Sequence, residues 1–441
     1  MKVQNNEDKI NELLTRGVGE FVDPDGIFRK KLQTNPENIV IKFGIDPTRP
    51  DIHLGHAVVL HKLKQFQDLG CKIVFLIGDY TAQIGDPTGK SRERPEINPK
   101  EINLNADTYL RQVATILNTS DKKKYVRLNN SIWYTSVTDY IGGNMIEKTK
   151  LWEKDRKDYY SIRSDQKVPT ITLFNLMSSL RLITHSQLIE RDMFEKRINS
   201  GNHLYMHEMM YPILQGIDSY CIAGFFGSCD LEVGGTDQVF NMLMGRPIMK
   251  HNKQEPQAVL AFKLLEGIDG KEKMSKSLDN YVGITDQPND MYGKIMSIPD
   301  FSIGNYFELC TFAPMDEVEK IKESILNGSV NPRDLKMTLS RQIVAIYHGE
   351  GKATKAEEDF VNTFQKGGIP EEIEEIKGSG SLGVILVLKK IVSSMSEWRR
   401  LVEEGAVKKL DGTTEEKVTD FKIESTPGVY KIGKHRFVKI V

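Results

Sequence analysis

The chain has 441 residues, of which 39% are hydrophobic and 27% charged, a globular composition that excludes a fibre or a mainly disordered chain. At about 150 residues per domain, this length predicts about three domains with a sizeable core. No apolar run approaches the ~18 residues of a membrane span. The polar start MKVQNNEDKINELL has no apolar stretch of the kind a signal peptide needs, so a cytoplasmic protein with no membrane partner is expected.

Net charge is -1, but it is unevenly spread. Residues 381–441 carry 12 Lys and Arg against 8 acids, a surplus of +4 that leaves -5 for the rest. A basic tail on an acidic body points to a polyanionic partner. Cys71, Cys221, Cys229 and Cys310 form no C-x-x-C pair, so small buried thiols are expected, not a zinc site or disulfides.

In chain order, Asn38–Ile45 reads as a buried strand, His53–Leu69 as a helix with Leu60, Leu63 and Phe66 at helical spacing, and Lys72–Gly78 as a second strand. Together they form a βαβ unit, the start of a doubly wound parallel sheet. Tyr125–Leu128 and Leu231–Gly234 read as further strands, Lys150–Thr170 as an irregular insertion, Gln187–Tyr220 as helical, and Ala258–Leu264 as strand-like. Helical spacing interrupted by Pro299, Pro314 and Pro332 follows from about Asp290 to Gly367. Next come an acidic stretch at Glu371–Glu375 and the flexible Gly378-Ser379-Gly380. The last sixty residues read as helix, turn, helix and a strand pair, Gly428–Ile432 and His435–Val441, turning at Gly433-Lys434.

Two segments stand out chemically. His53-Leu54-Gly55-His56 opens the first helix, where unpaired N–H groups and the dipole favour phosphate. Its two imidazoles, three residues apart, face the same way and are suited to donate to charge developing on phosphorus. A metal pair is the alternative, but no third ligand lies nearby. Lys273-Met274-Ser275-Lys276-Ser277 follows a strand and a turn. Two lysines on a mobile loop can close over a departing pyrophosphate as charge moves onto it. Gly85-Asp86-Pro87-Thr88-Gly89-Lys90-Ser91 has three residues between its glycines where a P-loop has four, and is not one. Tyr211, Gln215 and Asp218 share one helix face by their spacings of 4 and 3.

The H-x-G-H helix start and the distant K-M-S-K-S loop together resemble the signature of class I aminoacyl-tRNA synthetases, and the chain looks like the tyrosyl branch over about nine-tenths of its length. That resemblance implies a Rossmann-like α/β catalytic domain over 1–285, an α-helical domain over 286–370, a linker over 371–380 and a small α+β S4-like RNA-binding domain over 381–441. It further implies that Thr48, His53, His56, Lys90, Arg94, Lys273 and Lys276 stabilise charge in catalysis. Asp46, Gly55, Gly235, Asp237 and Lys276 would bind ATP, with paired glycines making room for a ribose. Asp86, Tyr211 and Gln215 would hold the substrate's ammonium group, Asp218 its phenol and Gln238 its carboxylate. At Lys42 many bacterial relatives have a tyrosine against the phenol, a place from which the lysine could still point a donor at the phenol oxygen, and at Glu232 a glutamine is common. Arg399, Arg400, Lys408 and Lys409 would contact RNA phosphates.

The activity implied is tyrosine–tRNA ligation, with ATP entering as its Mg2+ complex, tRNA(Tyr) and L-tyrosine as partners, no tightly bound cofactor or protein-held metal, and a homodimer. Catalysis would need no covalent nucleophile, only positioning and charge stabilisation. A tryptophanyl enzyme shares the fold, but Asp218 and the Gly-Gly-Thr-Asp-Gln string speak for tyrosine. An RNA-binding protein that has lost catalysis would have no need of the complete His and Lys motifs.

Overall fold

The computed structural model describes residues 7–88, 98–134, 171–189, 192–365, 373–378, 380–389, 391–392, 394–411, 414–433 and 436–441. Lys90, Arg94 and the expected insertion at Lys150–Thr170 lie outside these residues. The chain divides into two compact units, one of residues 1–286 and 298–335, the other of 287–297 and 336–441. The helices expected to form one domain over 286–370 are therefore shared between the two units.

The first unit is built on a six-stranded sheet in the order β1-β6-β5-β2-β3-β4. Its strands are β1 Val18–Val22, β2 Val40–Ile45, β3 Lys72–Ile77, β4 Tyr125–Asn129, β5 Leu231–Gly235 and β6 Ala258–Phe262. Strands β2 to β6 run parallel, as expected of near-continuous apolar runs such as KIVFLI, whose residues Ile73 to Ile77 are all buried. The edge strand β1 is antiparallel to β6 and was not expected. Half-exposed and carrying Glu20 at its centre, it has little strand signal of its own, and its partner lies some 240 residues away.

From β2 the chain builds outward to β3 and β4, then returns to place β5 on the other side of β2. The reversal opens a crevice at the carboxyl ends of β2 and β5, where ligands bind in such sheets. The helix Leu54–Leu69 starts at this crevice and ends at Gly70, whose φ of 113° favours glycine. The helix Met206–Phe226 packs on β2, with Ile213, Ile217 and Cys221 in one core with Val40 and Val74. Gly216 lets this helix approach the next one closely, since a Cβ there would lie 2.8 Å from the Met244 carbonyl carbon. The four thiols are buried and free, as expected. No helix among the described residues is long and apolar enough to cross a membrane.

In the second unit, the helix Pro288–Met296 packs on Glu350–Phe360, with Asn289 Nδ2 donating to Asp359 Oδ2 at 3.0 Å. A five-stranded sheet in the order β7-β11-β10-β8-β9 completes it. Its strands are β7 Glu374–Ile376, β8 Val407–Asp411, β9 Thr414–Lys417, β10 Gly428–Ile432 and β11 Arg436–Ile440. The helices Leu382–Leu388 and Met395–Glu403 accompany this sheet, and Trp398, Leu382, Leu386 and Tyr430 fill its core. Strand β7 corrects the expected linker over 371–380, because Ile376 is buried in this core and β7 pairs in parallel with β11.

Candidate active site

The crevice is a cavity of about 960 Å3, and its wall joins the sequence motifs. Thr48, Asp46, His53, Gly55, His56, Asp86, Tyr211, Gln215, Asp218, Gly235, Asp237, Gln238, Lys273, Lys276 and Lys42 all line it. Backbone bonds bring the two distant motifs together. Leu54 N donates to Val282 O at 2.9 Å and Ile284 N to Ile52 O at 3.0 Å, so the chain beyond the lysine loop is pinned to the histidine turn.

One end of the cavity is basic and donor-rich. The His53 and His56 rings lie 3.8 Å apart, tilted by 31°. The His53 backbone N–H donates to His56 Nδ1 at 3.4 Å, which leaves the His56 proton on Nε2 as a donor. Burial, then Lys276 and Lys273, pushes His53 down to about 3, and burial holds His56 well below its ordinary value. Both imidazoles are therefore neutral at pH 7, and each keeps one ring N–H available to donate. Gly55 leaves room for this stack, since a Cβ would stand 3.1 Å from the His53 ring and press on it. Lys273 is ion-paired with Asp237. Lys276 donates to Tyr109 Oη at 3.2 Å and Arg49 O at 3.4 Å, and burial lowers it to about 8. Tyr109 and Arg49, which line the same end, were not expected from the sequence.

The other end is acidic. Asp46 accepts from Tyr211 Oη and from Thr81 Oγ1, both at 2.9 Å. Gly78 beneath it is obligatory, because a Cβ would collide with the Asp46 carboxylate. Asp86 accepts from Thr88 N at 2.9 Å and from Gln238 Nε2 at 2.7 Å. Asp218 is buried and accepts from Trp133 Nε1 at 2.9 Å and Asn130 Nδ2 at 3.3 Å. Burial raises its carboxyl to about 6, against the opposing pull of Lys42 and these donors.

Asn130, Trp133 and the neighbouring Tyr134, which stacks on Tyr80 at 4.7 Å, also escaped the sequence reading. The available signal was their place just beyond β4, at the carboxyl edge of the sheet. For Lys42 the sequence left a contact with the phenol open. Its ammonium instead meets Glu232 Oε1 at 2.9 Å, Gln215 O at 2.7 Å and Ser219 Oγ at 2.9 Å.

In the second unit, Arg399 lies over the Phe421 ring at 5.0 Å, Arg400 faces Glu404 at 4.0 Å, Lys408 is paired with Glu415, and Lys409 donates to Thr426 Oγ1 at 2.7 Å. Lys408 stands in register between Lys417 on β9 and Lys431 on β10, giving a row of three lysines across the strands.

A switch-point cavity that joins a histidine pair at a helix start to a lysine loop has the architecture of a class I aminoacyl-tRNA synthetase. The family model "tRNA synthetases class I (W and Y)" matches residues 34–365. Among curated relatives, the chain is 40% identical to the tyrosine–tRNA ligase of Francisella tularensis, covering 98% of both chains, and 40% identical to tyrosine–tRNA ligase 2 of Vibrio cholerae, covering 97% of each. The chain belongs to the tyrosine–tRNA ligase family. The fold is also similar to that of a C-terminally truncated mitochondrial tyrosyl-tRNA synthetase of Aspergillus nidulans, with a TM-score of 0.57 at 20% identity over 81% of this chain and 94% of that one.

Proposed function

We propose that the chain activates L-tyrosine with ATP to tyrosyl-adenylate and pyrophosphate, and then passes tyrosine to the terminal adenosine of tRNA(Tyr). The observation that carries this is the cavity's polarity. Neutral histidine donors and lysines stand at one end, and a buried carboxylate held by Trp133 and Asn130 stands at the other. A triphosphate suits the first end, and an ammonium and a phenol suit the second.

In this reading the tyrosine carboxylate attacks the α-phosphorus of ATP, which enters as its Mg2+ complex. Thr48, His53, His56, Lys273 and Lys276 stabilise the developing charge, and Lys90 and Arg94, outside the described residues, add to it. Gly235 and Asp237 receive the ribose. Lys273 pairs with Asp237 Oδ2, and the carboxylate keeps acceptor capacity for ribose hydroxyls. Asp86, Tyr211 and Gln215 hold the ammonium group, and Gln238 reaches the carboxylate. ATP–pyrophosphate exchange, run with each of the twenty amino acids in turn, should respond to tyrosine alone. Exchange with tryptophan would overturn the assignment.

The tail is the RNA-binding module of this proposal, an S4-like domain. Lys408, Lys417 and Lys431 stand side by side across the strands, with Glu415 on Lys408, and in this reading they join Arg399, Arg400 and Lys409 as phosphate contacts. Replacing Lys431 with alanine should weaken tRNA binding and lower the slope of log affinity against log salt by about 1, as filter binding over a salt series would report. The helix Leu173–Leu180 exposes Leu173, Phe174 and Met177 and buries none of its residues, which supports a homodimer.

A further inference from the structure

The inner wall of the cavity holds a charged pair that the reaction above does not use directly. Lys42 on β2 and Glu232 on β5 face each other in register on neighbouring parallel strands, their side chains only 1% and 2% exposed. An ammonium has three hydrogens, and Glu232 Oε1, Gln215 O and Ser219 Oγ take all three. Glu232 is equally occupied. Its Oε1 also accepts from Gln215 Nε2 at 3.0 Å, and its Oε2 accepts from Ser219 Oγ at 3.1 Å and from Gln257 Nε2. A buried ion pair gives little stability beyond what apolar side chains of the same size would give, so its consequence lies in what it orients.

What it orients is Gln215. A carboxylate only accepts hydrogen bonds, so Glu232 draws the amide nitrogen of Gln215 toward itself. The amide oxygen is then the atom left for the cavity, on the side that holds Asp46, Asp86 and Tyr211. An acceptor fixed among carboxylates suits an ammonium, whereas an amide free to flip would turn its N–H toward the same charge. Lys42, bonded to the Gln215 carbonyl and to Ser219, ties that helical turn to the sheet. We propose that Lys42 and Glu232 form a positioning unit that fixes the Gln215 amide oxygen toward the substrate's α-ammonium group, and that Lys42 makes no contact with the phenol. This rests on the assignment of the cavity to tyrosine.

The test uses Lys42→Met, Glu232→Gln and the double variant in the full chain. Either single change strands a buried charge and should lower the melting temperature. The double change removes both charges at nearly constant volume, so it should melt close to the parent and carries the test. Pyrophosphate exchange would give kcat and the KM values, and two inhibitors would separate the contacts. Tyramine keeps the ammonium and the phenol, and 3-(4-hydroxyphenyl)propionate keeps the phenol and lacks the ammonium. In the double variant, KM for tyrosine and the inhibition constant of tyramine should rise about 10- to 100-fold, with kcat, KM for ATP and propionate inhibition nearly unchanged. Recovery of the tyrosine KM together with the melting temperature would mean a purely structural pair and overturn the proposal. Equal weakening of both inhibitors would overturn it too, by showing a general distortion. A parent protein inert toward tyrosine and insensitive to both inhibitors would instead overturn the reading of the cavity, and this proposal with it.

Discussion

Asp218→Ala should reduce pyrophosphate exchange with tyrosine by about 10- to 150-fold while changing exchange with phenylalanine by less than about threefold, as a hydrogen bond to a buried charged group contributes about 1.5–3 kcal/mol. The carboxylate is buried among Trp133 Nε1, Asn130 Nδ2 and the Tyr134 hydroxyl, and a phenol reaching it supplies a further donor. Phenylalanine brings no hydroxyl, so it leaves the carboxylate short of a partner in the parent and gains when that carboxylate is removed. Asp218→Asn would not be a mild change. Trp133 and Asn130 donate to different oxygens, so an amide nitrogen at either position would meet a donor. Thermal melts alongside the kinetics would separate loss of fold from loss of discrimination. Equal losses for both amino acids would remove Asp218 from the phenol site.

The same carboxyl group gives the prediction a pH signature. Burial raises Asp218 to about 6, so it is ionised and accepting above that pH and protonated below it. Since kcat/KM reports the free enzyme, kcat/KM for tyrosine should fall as pH drops through about 6. That for phenylalanine should not follow it.

The sequence made the chemistry of this site more legible than its support. Local spacing suffices to put Tyr211, Gln215 and Asp218 on one helix face, and a helix start suffices to aim His53 and His56. Asn130, Trp133, Tyr134 and Tyr109 act through distances that only the folded sheet closes, such as the 85 residues separating Trp133 from Asp218. Strand β1 was hidden for the same reason, since its pairing is with β6 and its own pattern is half polar. Lys42 was legible as a departure from the tyrosyl pattern, but its meaning was not. The register that sets it opposite Glu232 is a property of two strands, and neither strand alone contains it.

His56→Ala should lower kcat for adenylate formation by about 100- to 1000-fold, the usual loss when one pre-aimed donor to a transition state is removed. The KM for tyrosine should change little, because the histidines stand at the end of the cavity away from Asp218. Pre-steady-state formation of adenylate in the absence of tRNA would measure the step itself. A loss confined to KM would mean that His56 binds ground-state ATP and nothing more. The histidines' neutrality then fixes what pH must do. With His53 pushed down to about 3 and His56 well below its ordinary value, neither gains a proton between pH 6 and 8 in the free enzyme, so kcat/KM for ATP should show no inflection where a free imidazole titrates. Lys276 behaves in the opposite way. Burial lowers it to about 8, so it carries its charge below that pH and sheds it above, and kcat/KM for ATP should decline as pH rises through about 8. Methionine at Lys276 should abolish that decline and leave the acid limb of the tyrosine profile in place. An acid limb that disappeared together with the basic one would mean that the two ends of the cavity titrate as one coupled unit, which their separation into a phosphate end and an amino-acid end excludes.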